Sequence, residues 1–483
     1  MSEKQTTLGI VGYGAYLPRL RLSRAAILAA HGWFSPGLRS HARGERSMAG
    51  WDEDALTMAV EAARAALQGV ARDSLQGIAF ASVSAPFTER QNATLAATAL
   101  KLPRSLSSLD CGGTTRGATS MLLRLLQGRD APQLLLAADQ RQARAGSVQE
   151  MQYGDGAAAL LLGREKPLAV CLGAASINED FVDHYRGQGE AFDYAWEERW
   201  VRDEGYGRLV PEAVQLALTR AGIAAADISH FILPCTFGGL NAALAKKLGI
   251  RAEAVVDNLH AECGDTGSAH ALLLLAGVLE RAKPGEVILL ASFGQGVDAL
   301  LLRVTEHNAG YRPARGLSAA LARKRTETVY QKHLAFRQMV ASDTGIRSEG
   351  DRQTALTVLH RKSDMLTSLI GGKCGVCGTA QYPKSRICVN PNCGAQDSQE
   401  DHGFAETPAS VLSWSADWLT FTPEPPLHYG MVVFEGGGRL MADFTDVDAG
   451  AVAVGMPMRM VFRIKDHDRQ RGFRRYYWKA APA

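Results

Sequence analysis

The chain repeats itself. CGGT at 111–114, followed by a helical run and the apolar stretch LLLAAD at 134–139, is echoed by CGDT at 263–266, a second helical run and VILLAS at 287–292. Upstream, IAFASVSAP at 78–86 with NATLAATALKL at 92–102 is echoed by ISHFILPCTFGGLNAALAKKLGI at 228–250. Both offsets are about 150 residues, and two matches at one offset signify a duplicated unit. The pattern predicts two pseudo-repeats, about 1–165 and 166–305, packed as pseudo-symmetric layers with a site between them.

Within each repeat, short β-rich runs alternate with amphipathic helical ones. GIAFASV, QLLLAAD, AAALLLG, SHFILP and EVILLAS read as strands. DEDALTMAVEAARAALQG, TRGATSMLLRLLQG and SAHALLLLAGVLERAKPG carry apolar residues at three- and four-residue spacing, with Gly at or just past their ends, and read as helices. Such alternation predicts an α/β fold whose sheet is covered on both faces.

Beyond residue 305 the pattern changes. Residues 306–365 are more charged, lack a strand pattern and read as a helical linker. Residues 401–483 carry short alternating strands broken by Pro and Gly, as a small β-barrel would. Between them, 366–400 hold four of the eight cysteines in the spacing C-x2-C-x10-C-x4-C: Cys374, Cys377, Cys388 and Cys393. Two short-spaced pairs, each on a turn with Gly or Pro, suit four thiolates around Zn²⁺. A closed four-Cys shell leaves no open coordination position, so the expected zinc is structural.

The 483 residues leave room for several domains. A formal net charge of +3 gives no reason to expect nucleic acid or an anionic membrane as partner. No apolar run reaches the roughly 18 residues of a membrane span, and the N-terminus is too polar for a signal peptide. A cytoplasmic location is the expectation. The Arg-rich HDRQRGFRRYYWK (467–479) reads as a final strand with solvated charges.

Four stretches together carry a resemblance: GIVGYGAYLPRLRLSR (9–24), GWDEDALTMAVEAARAAL (50–67), SSLDCGGTTRGATSML (107–122) and AKPGEVILLASFGQG (282–296). In this order they resemble the hydroxymethylglutaryl-CoA synthase branch of the thiolase superfamily, related to ketoacyl synthase III. The tail resembles the zinc-ribbon and OB-fold module that partners thiolase-like enzymes. The resemblance implies a five-layered αβαβα fold, a homodimer, a Cys nucleophile and acyl-CoA substrates.

Cys111 is the expected nucleophile. A thiolate attacks a thioester to form an acyl-enzyme, and at a helix start the dipole would lower its pKa. Gly112, Gly264 and Gly294 are candidate substrate-binding positions, where a missing side chain lets backbone approach a ligand.

The chain also departs from its relatives. Val83 stands where the synthases carry a catalytic Glu, and Glu89 is a nearby substitute. Cys235, after Pro234, stands where relatives have His. Asp265 stands where they have Asn or His, and the repeat places it across from Cys111; a desolvated acid there would have a raised pKa and exchange protons. Alternatively, Asp265 caps the next helix. His260, His270 and His184 are candidates to replace the missing base, His184 within a polar, aromatic insertion (181–200) that reads as a cap over the pocket. Cys263 reads as packing.

The leading expectation is an acyltransferase that makes or breaks a C–C bond beside a thioester. Hydroxymethylglutaryl-CoA synthase-like condensation is the default. Thiolytic or retro-Claisen cleavage, acyl transfer to an unusual acceptor, and a non-catalytic acyl-CoA scaffold are the alternatives.

Overall fold

The computed structural model describes residues 8–128 and 131–483; the first seven residues, on which the reading of no leader peptide rested, lie outside them. The chain divides into two compact units. One holds the chain through Gly50, Asp54–Ala96 and Leu102–His333; the other holds Trp51–Glu53, Ala97–Lys101 and Leu334–Ala483.

The first unit is built on a mixed sheet of nine strands: β1 (Gly9–Tyr16), β2 (Gly77–Ala81), β3 (Ser107–Cys111), β4 (Gln133–Asp139), β5 (Gly156–Gly163), β6 (Ala169–Asn178), β7 (His230–Ile232), β8 (Val287–Phe293) and β9 (Gly296–Val304). Their order is β7-β8-β9-β6-β1-β5-β4-β2-β3. The order is a palindrome of the two repeats. β1 answers β6, β2 answers β7, β4 answers β8 and β5 answers β9; a bridge from Phe231 to Val255 stands opposite β3. The two halves join where β1 meets β6, through Gly9 with Val170 and Ile10 with Ala169.

Four helices explain the layering: α1 (Ala55–Ala66), α2 (Gly117–Gln127), α3 (Val210–Ala221) and α4 (His270–Leu279). Every residue of α4 is buried, as a helix apolar on all sides requires. Helix α4 and the Ala118–Leu122–Leu123 face of α2 share one core with residues of both half-sheets. Helix α1 packs on the first half and α3 on β6 and β9 of the second. The result is the α/β/α/β/α layering expected of the duplicated fold. Helix α1 starts with a reciprocal cap: Asp54 Oδ1 accepts from Thr57 N at 3.0 Å and Thr57 Oγ1 from Asp54 N at 2.8 Å, worth about 1 kcal/mol. Gly14 lets β1 approach α1, since a Cβ there would lie 2.1 Å from the Ala62 carbonyl oxygen.

The segment 306–365 differs from a plain helical linker. Its first part carries the strand Arg325–Glu327, which pairs in parallel with Leu20–Leu22 and so belongs to the first unit. The strand's last residue, Glu327, is buried and receives Lys332 Nζ at 3.0 Å.

In the second unit, Ile370–Cys374, Ala380–Gln381 and Gln399–Gly403 form a three-stranded sheet. Beyond it, Ala409–Asp417, Leu427–Phe434, Arg439–Asp443, Pro457–Asp468 and Phe473–Pro482 form a five-stranded antiparallel sheet. Alternate burial along Leu427–Phe434 is the period of two that a one-faced strand requires. The expectation that the tail's charges are solvated is corrected at Lys479. Lys479 is buried, 2.9 Å from Asp52 and 4.0 Å from the centroid of Trp51, and buried Arg463 pairs with Glu53 at 3.3 Å and Asp446 at 3.1 Å.

Candidate active site

Cys111 ends strand β3, and helix α2 begins only at Gly117. The expectation of a thiol whose pKa is lowered is corrected. Five residues separate Cys111 from Gly117 along the chain, yet the fold brings the sulfur within 3.5 Å of the Cβ position of Gly117, the first residue of the helix. The Cys111 Sγ–H donates to the Gly117 carbonyl oxygen at 3.7 Å, and burial pushes its pKa up rather than down.

The intervening loop is clasped by the second repeat. Buried Arg116 donates to the Gly294 carbonyl at 2.7 Å, to Asp298 at 2.9 Å, to Asn178 at 3.2 Å and to the Gln295 carbonyl at 3.1 Å. Thr114 Oγ1 also donates to the Gly294 carbonyl, at 3.0 Å. Asp298 is buried and further held by Ser176, Thr119 and Ser120. Gly294 thus serves the loop rather than a ligand: a Cβ there would meet Thr114 Oγ1 at 2.6 Å. Gly264, at φ +74°, likewise packs on backbone, its Cβ position 2.7 Å from the Gln152 carbonyl oxygen. Gly112 is exposed and lines the cavity beside Cys111.

That cavity measures about 540 Å³. Cys111, Gly112, Gly113 and Thr114 form one wall; Ser82, Val83 and Phe87 another; and His184, Tyr185, Arg186 and Asp193 of the insertion a third. The Val83 loop is organised by buried Asp139, whose Oδ1 accepts from Ser82 Oγ, Val83 N, Ser84 N and Ser84 Oγ at 2.7–3.0 Å. Asp139 Oδ2 accepts from Ser268 N of the second repeat at 2.7 Å. Glu89 is exposed and lines neither this cavity nor the next, so the nearby carboxylate does not stand in for Val83.

A second cavity of about 160 Å³ holds Cys235 and Asp265, with Arg141, Tyr153, Tyr206 and Thr115. Asp183 and His184 line both spaces. Asp265 and Cys111 therefore face different cavities rather than each other.

Asp265 also differs electrostatically from the raised acid expected. Burial would raise its pKa, but Arg141, whose Nη2 lies 2.6 Å from Oδ2, together with His270 and His260, holds the carboxyl well below the usual range. Its Oδ1 accepts from Gly267 N at 3.0 Å, at the start of the next helical turn. Asp265 is a fixed anion and a local cap, not a proton exchanger.

Cys235 donates to the Phe237 carbonyl oxygen at 3.8 Å, and burial pushes its thiol up to about 12. His260 lines neither cavity, and burial with neighbouring His270 lowers it to about 4. His270 is buried and paired with the Asn258 carbonyl and with Thr266. Cys263 is fully buried.

His184 is the histidine that reaches the Cys111 cavity. The insertion folds as a short hairpin in which Ala195 pairs with His184 and Tyr194 with Tyr185. His184 Nδ1 lies 2.7 Å from Asp183 Oδ2. Burial alone would lower its pKa; the bond and charge of Asp183 outweigh that and raise it. Sequence reading named His184 only among several, because a residue in a polar insertion has no periodicity to orient it.

The four clustered cysteines converge in the second unit. Their sulfurs lie within 4.8 Å of one another, with Cys377 and Cys388 3.6 Å apart and Cys374 and Cys393 4.0 Å apart. Tetrahedral Zn–S bonds of about 2.3 Å put sulfurs about 3.8 Å apart. The cluster fits such an ion.

Comparison with known proteins agrees with this layout. Residues 218–304 match the family described as 3-oxoacyl-[acyl-carrier-protein (ACP)] synthase III C terminal, and 405–463 match the ChsH2 C-terminal OB-fold domain. The hydroxymethylglutaryl-CoA synthase of Aeropyrum pernix is 31% identical over 325 residues, 62% of this chain and 86% of the relative. That of Archaeoglobus fulgidus is 31% identical over 317 residues, 63% and 91%. Among solved structures, a hydroxymethylglutaryl-CoA synthase complexed with CoA is similar at a TM-score of 0.58 and 17% identity, covering 72% of this chain and 95% of that one. The 3-oxoacyl-(acyl carrier protein) synthase III of Pseudomonas aeruginosa is similar at 0.56 and 22%, covering 62% and 99%.

Proposed function

The chain belongs to the hydroxymethylglutaryl-CoA synthase family of the thiolase superfamily, and on that premise we propose an acyltransferase that carries the acyl group of an acyl-CoA on Cys111 while a C–C bond beside the thioester is made. The observation that carries this reading is Cys111 on a clasped loop, opening on a roughly 540 Å³ cavity that the His184–Asp183 pair also lines.

In the proposed step, the Cys111 sulfur attacks the thioester carbonyl carbon. A C–S bond to the enzyme forms and the bond to CoA breaks. His184 takes the thiol proton and returns it to the departing CoA thiolate, with Asp183 orienting the ring. N–H groups of Gly112 and Gly113, on the cavity wall, would stabilise the oxyanion. Asp265 acts at a distance, by fixing Arg141.

Val83 favours a second reading for the later step. An apolar side chain where the synthases use a carboxylate suits thiolytic or retro-Claisen cleavage, or transfer of the acyl group to another acceptor, better than enolisation by a base at that position. The four-Cys cluster would hold a structural Zn²⁺, supplying a crosslink that organises the ribbon strands. The edge position of β3, with Leu109 52% exposed, supports a homodimer.

Incubation of the full chain with labelled acetyl-CoA, followed by peptide mapping, tests the acyl-enzyme. Label on the Cys111 peptide, absent in Cys111→Ala, is the expected result. Equal labelling of both proteins overturns the role of Cys111; CoA binding without label or turnover with any acyl-CoA favours a scaffold.

A further inference from the structure

The Cys111 cavity has cations, but none without a carboxylate beside it. Among the described residues that line it, Arg186 is the one Arg or Lys. Its Nη1 lies 3.2 Å from Asp193 Oδ1, and its Nη2 donates to the Val83 carbonyl oxygen. His184 is held by Asp183. Asp193 Oδ2 also accepts from Tyr153 at 2.9 Å, which fixes the carboxylate against Arg186 from the far side. Asp110 lines the same wall, its oxygens taken up by Asn92 and Ala93 at 2.7–2.9 Å. Three carboxylates, Asp110, Asp183 and Asp193, thus line the cavity, two of them paired with Arg186 and His184. A ligand carboxylate entering this space would lose water and meet like charge, with the one guanidinium of the cavity already paired to Asp193; such mismatched charge is strongly disfavoured.

We propose that the Cys111 cavity selects uncharged acyl groups and rejects acyl chains that end in a carboxylate, with the Arg186–Asp193 pair setting that preference. The inference rests on the acyl-CoA reading above and narrows it. Asp193 occupies the guanidinium that would otherwise receive the carboxylate, so a dicarboxylic acyl group is neither the preferred donor nor the species best retained beside Cys111. The acceptor that discharges the acyl-enzyme is correspondingly neutral, a thiol or a carbonyl compound, rather than an acid.

Binding of two non-reactive thioethers to the full chain tests this without any turnover: S-butyl-CoA and S-(3-carboxypropyl)-CoA, compared by calorimetry. The uncharged ligand is expected to bind at least about tenfold more tightly. Asp193→Asn, which frees Arg186, is expected to tighten the carboxylate ligand severalfold with little change for the butyl ligand, and Arg186→Gln added to Asp193→Asn to abolish that gain. A purely structural role for Asp193 would weaken both ligands together. Equal binding of the two thioethers by the unsubstituted protein overturns the selectivity while leaving the acyl-CoA reading intact. Binding of neither removes both. Should Asp193→Asn fail to fold, the comparison on the unsubstituted protein still decides.

Discussion

Asp265 Oδ2 accepts a hydrogen bond from Arg141 Nη2 at 2.6 Å, and the Arg141 guanidinium lies 3.8 Å from the centre of the Tyr153 ring. The Arg141 side chain is only 3% exposed. One contact therefore joins the two repeats, since Arg141 follows β4 of the first and Asp265 precedes α4 of the second, and it determines the charge state of the acid that sequence comparison singles out.

Breaking that pair has a calculable consequence. Asp265→Asn leaves a buried guanidinium without its counter-ion and is expected to cost about 3–5 kcal/mol of stability, measured by denaturant unfolding at neutral pH. The sign with pH follows from the depressed folded pKa. The pair's stabilisation is present above the unfolded carboxyl value of about 3.9 and is lost as pH falls through the lower folded value. Equal midpoints for both proteins at pH 7 would contradict the assignment.

Thiol reactivity distinguishes a buried Cys111 from a dipole-activated one. Because burial raises its pKa above the ordinary 9.0, alkylation of Cys111 by iodoacetamide should still be rising at pH 9. The rate is read from the Cys111 peptide, so the other cysteines do not interfere. A plateau near neutrality would mean that the thiolate is stabilised by a group not accounted for.

The His184–Asp183 pair makes a different pH prediction. A proton acceptor must be neutral, and His184 is raised above its usual 6.5, so acyl transfer should rise with pH through an inflection above that value. Asp183→Asn should move the inflection downward and slow transfer by roughly 10²-fold, the scale of general-base assistance. As a stability term, the same pair is fully present below the unfolded histidine pKa and fades as pH rises through the folded one.

Metal content tests the cysteine cluster directly. One zinc per chain is expected by elemental analysis, and Cys388→Ser should lose most of it. Stripping the ion with a strong chelator should destabilise the ribbon, seen as faster proteolysis between residues 366 and 400. Full protease resistance after complete zinc removal would exclude a structural role.

The strands and helices were legible because their periodicity comes from which face meets the core. QLLLAAD is buried as β4, and the HALLLLAGVL part of SAHALLLLAGVLERAKPG is α4, buried on every side rather than on the one face its spacing predicts. The short strand Arg325–Glu327 escaped notice because a three-residue strand lacks enough alternation to stand out. Candidate active-site residues were legible by type only: His260 and His184 look alike in sequence, yet one lines neither cavity and the other lines both.

The amino-acid order alone determined the duplication, the α/β alternation and the spacing of four metal-binding thiols, because each is a local or periodic property of neighbouring residues. Folding alone decided that Asp265 is neutralised by Arg141, that Cys111 ends a strand instead of starting a helix, and that Arg186 reaches its cavity already paired with Asp193. A side chain's charge state and partners depend on what distant segments bring within a few ångströms, in a medium that burial has stripped of water.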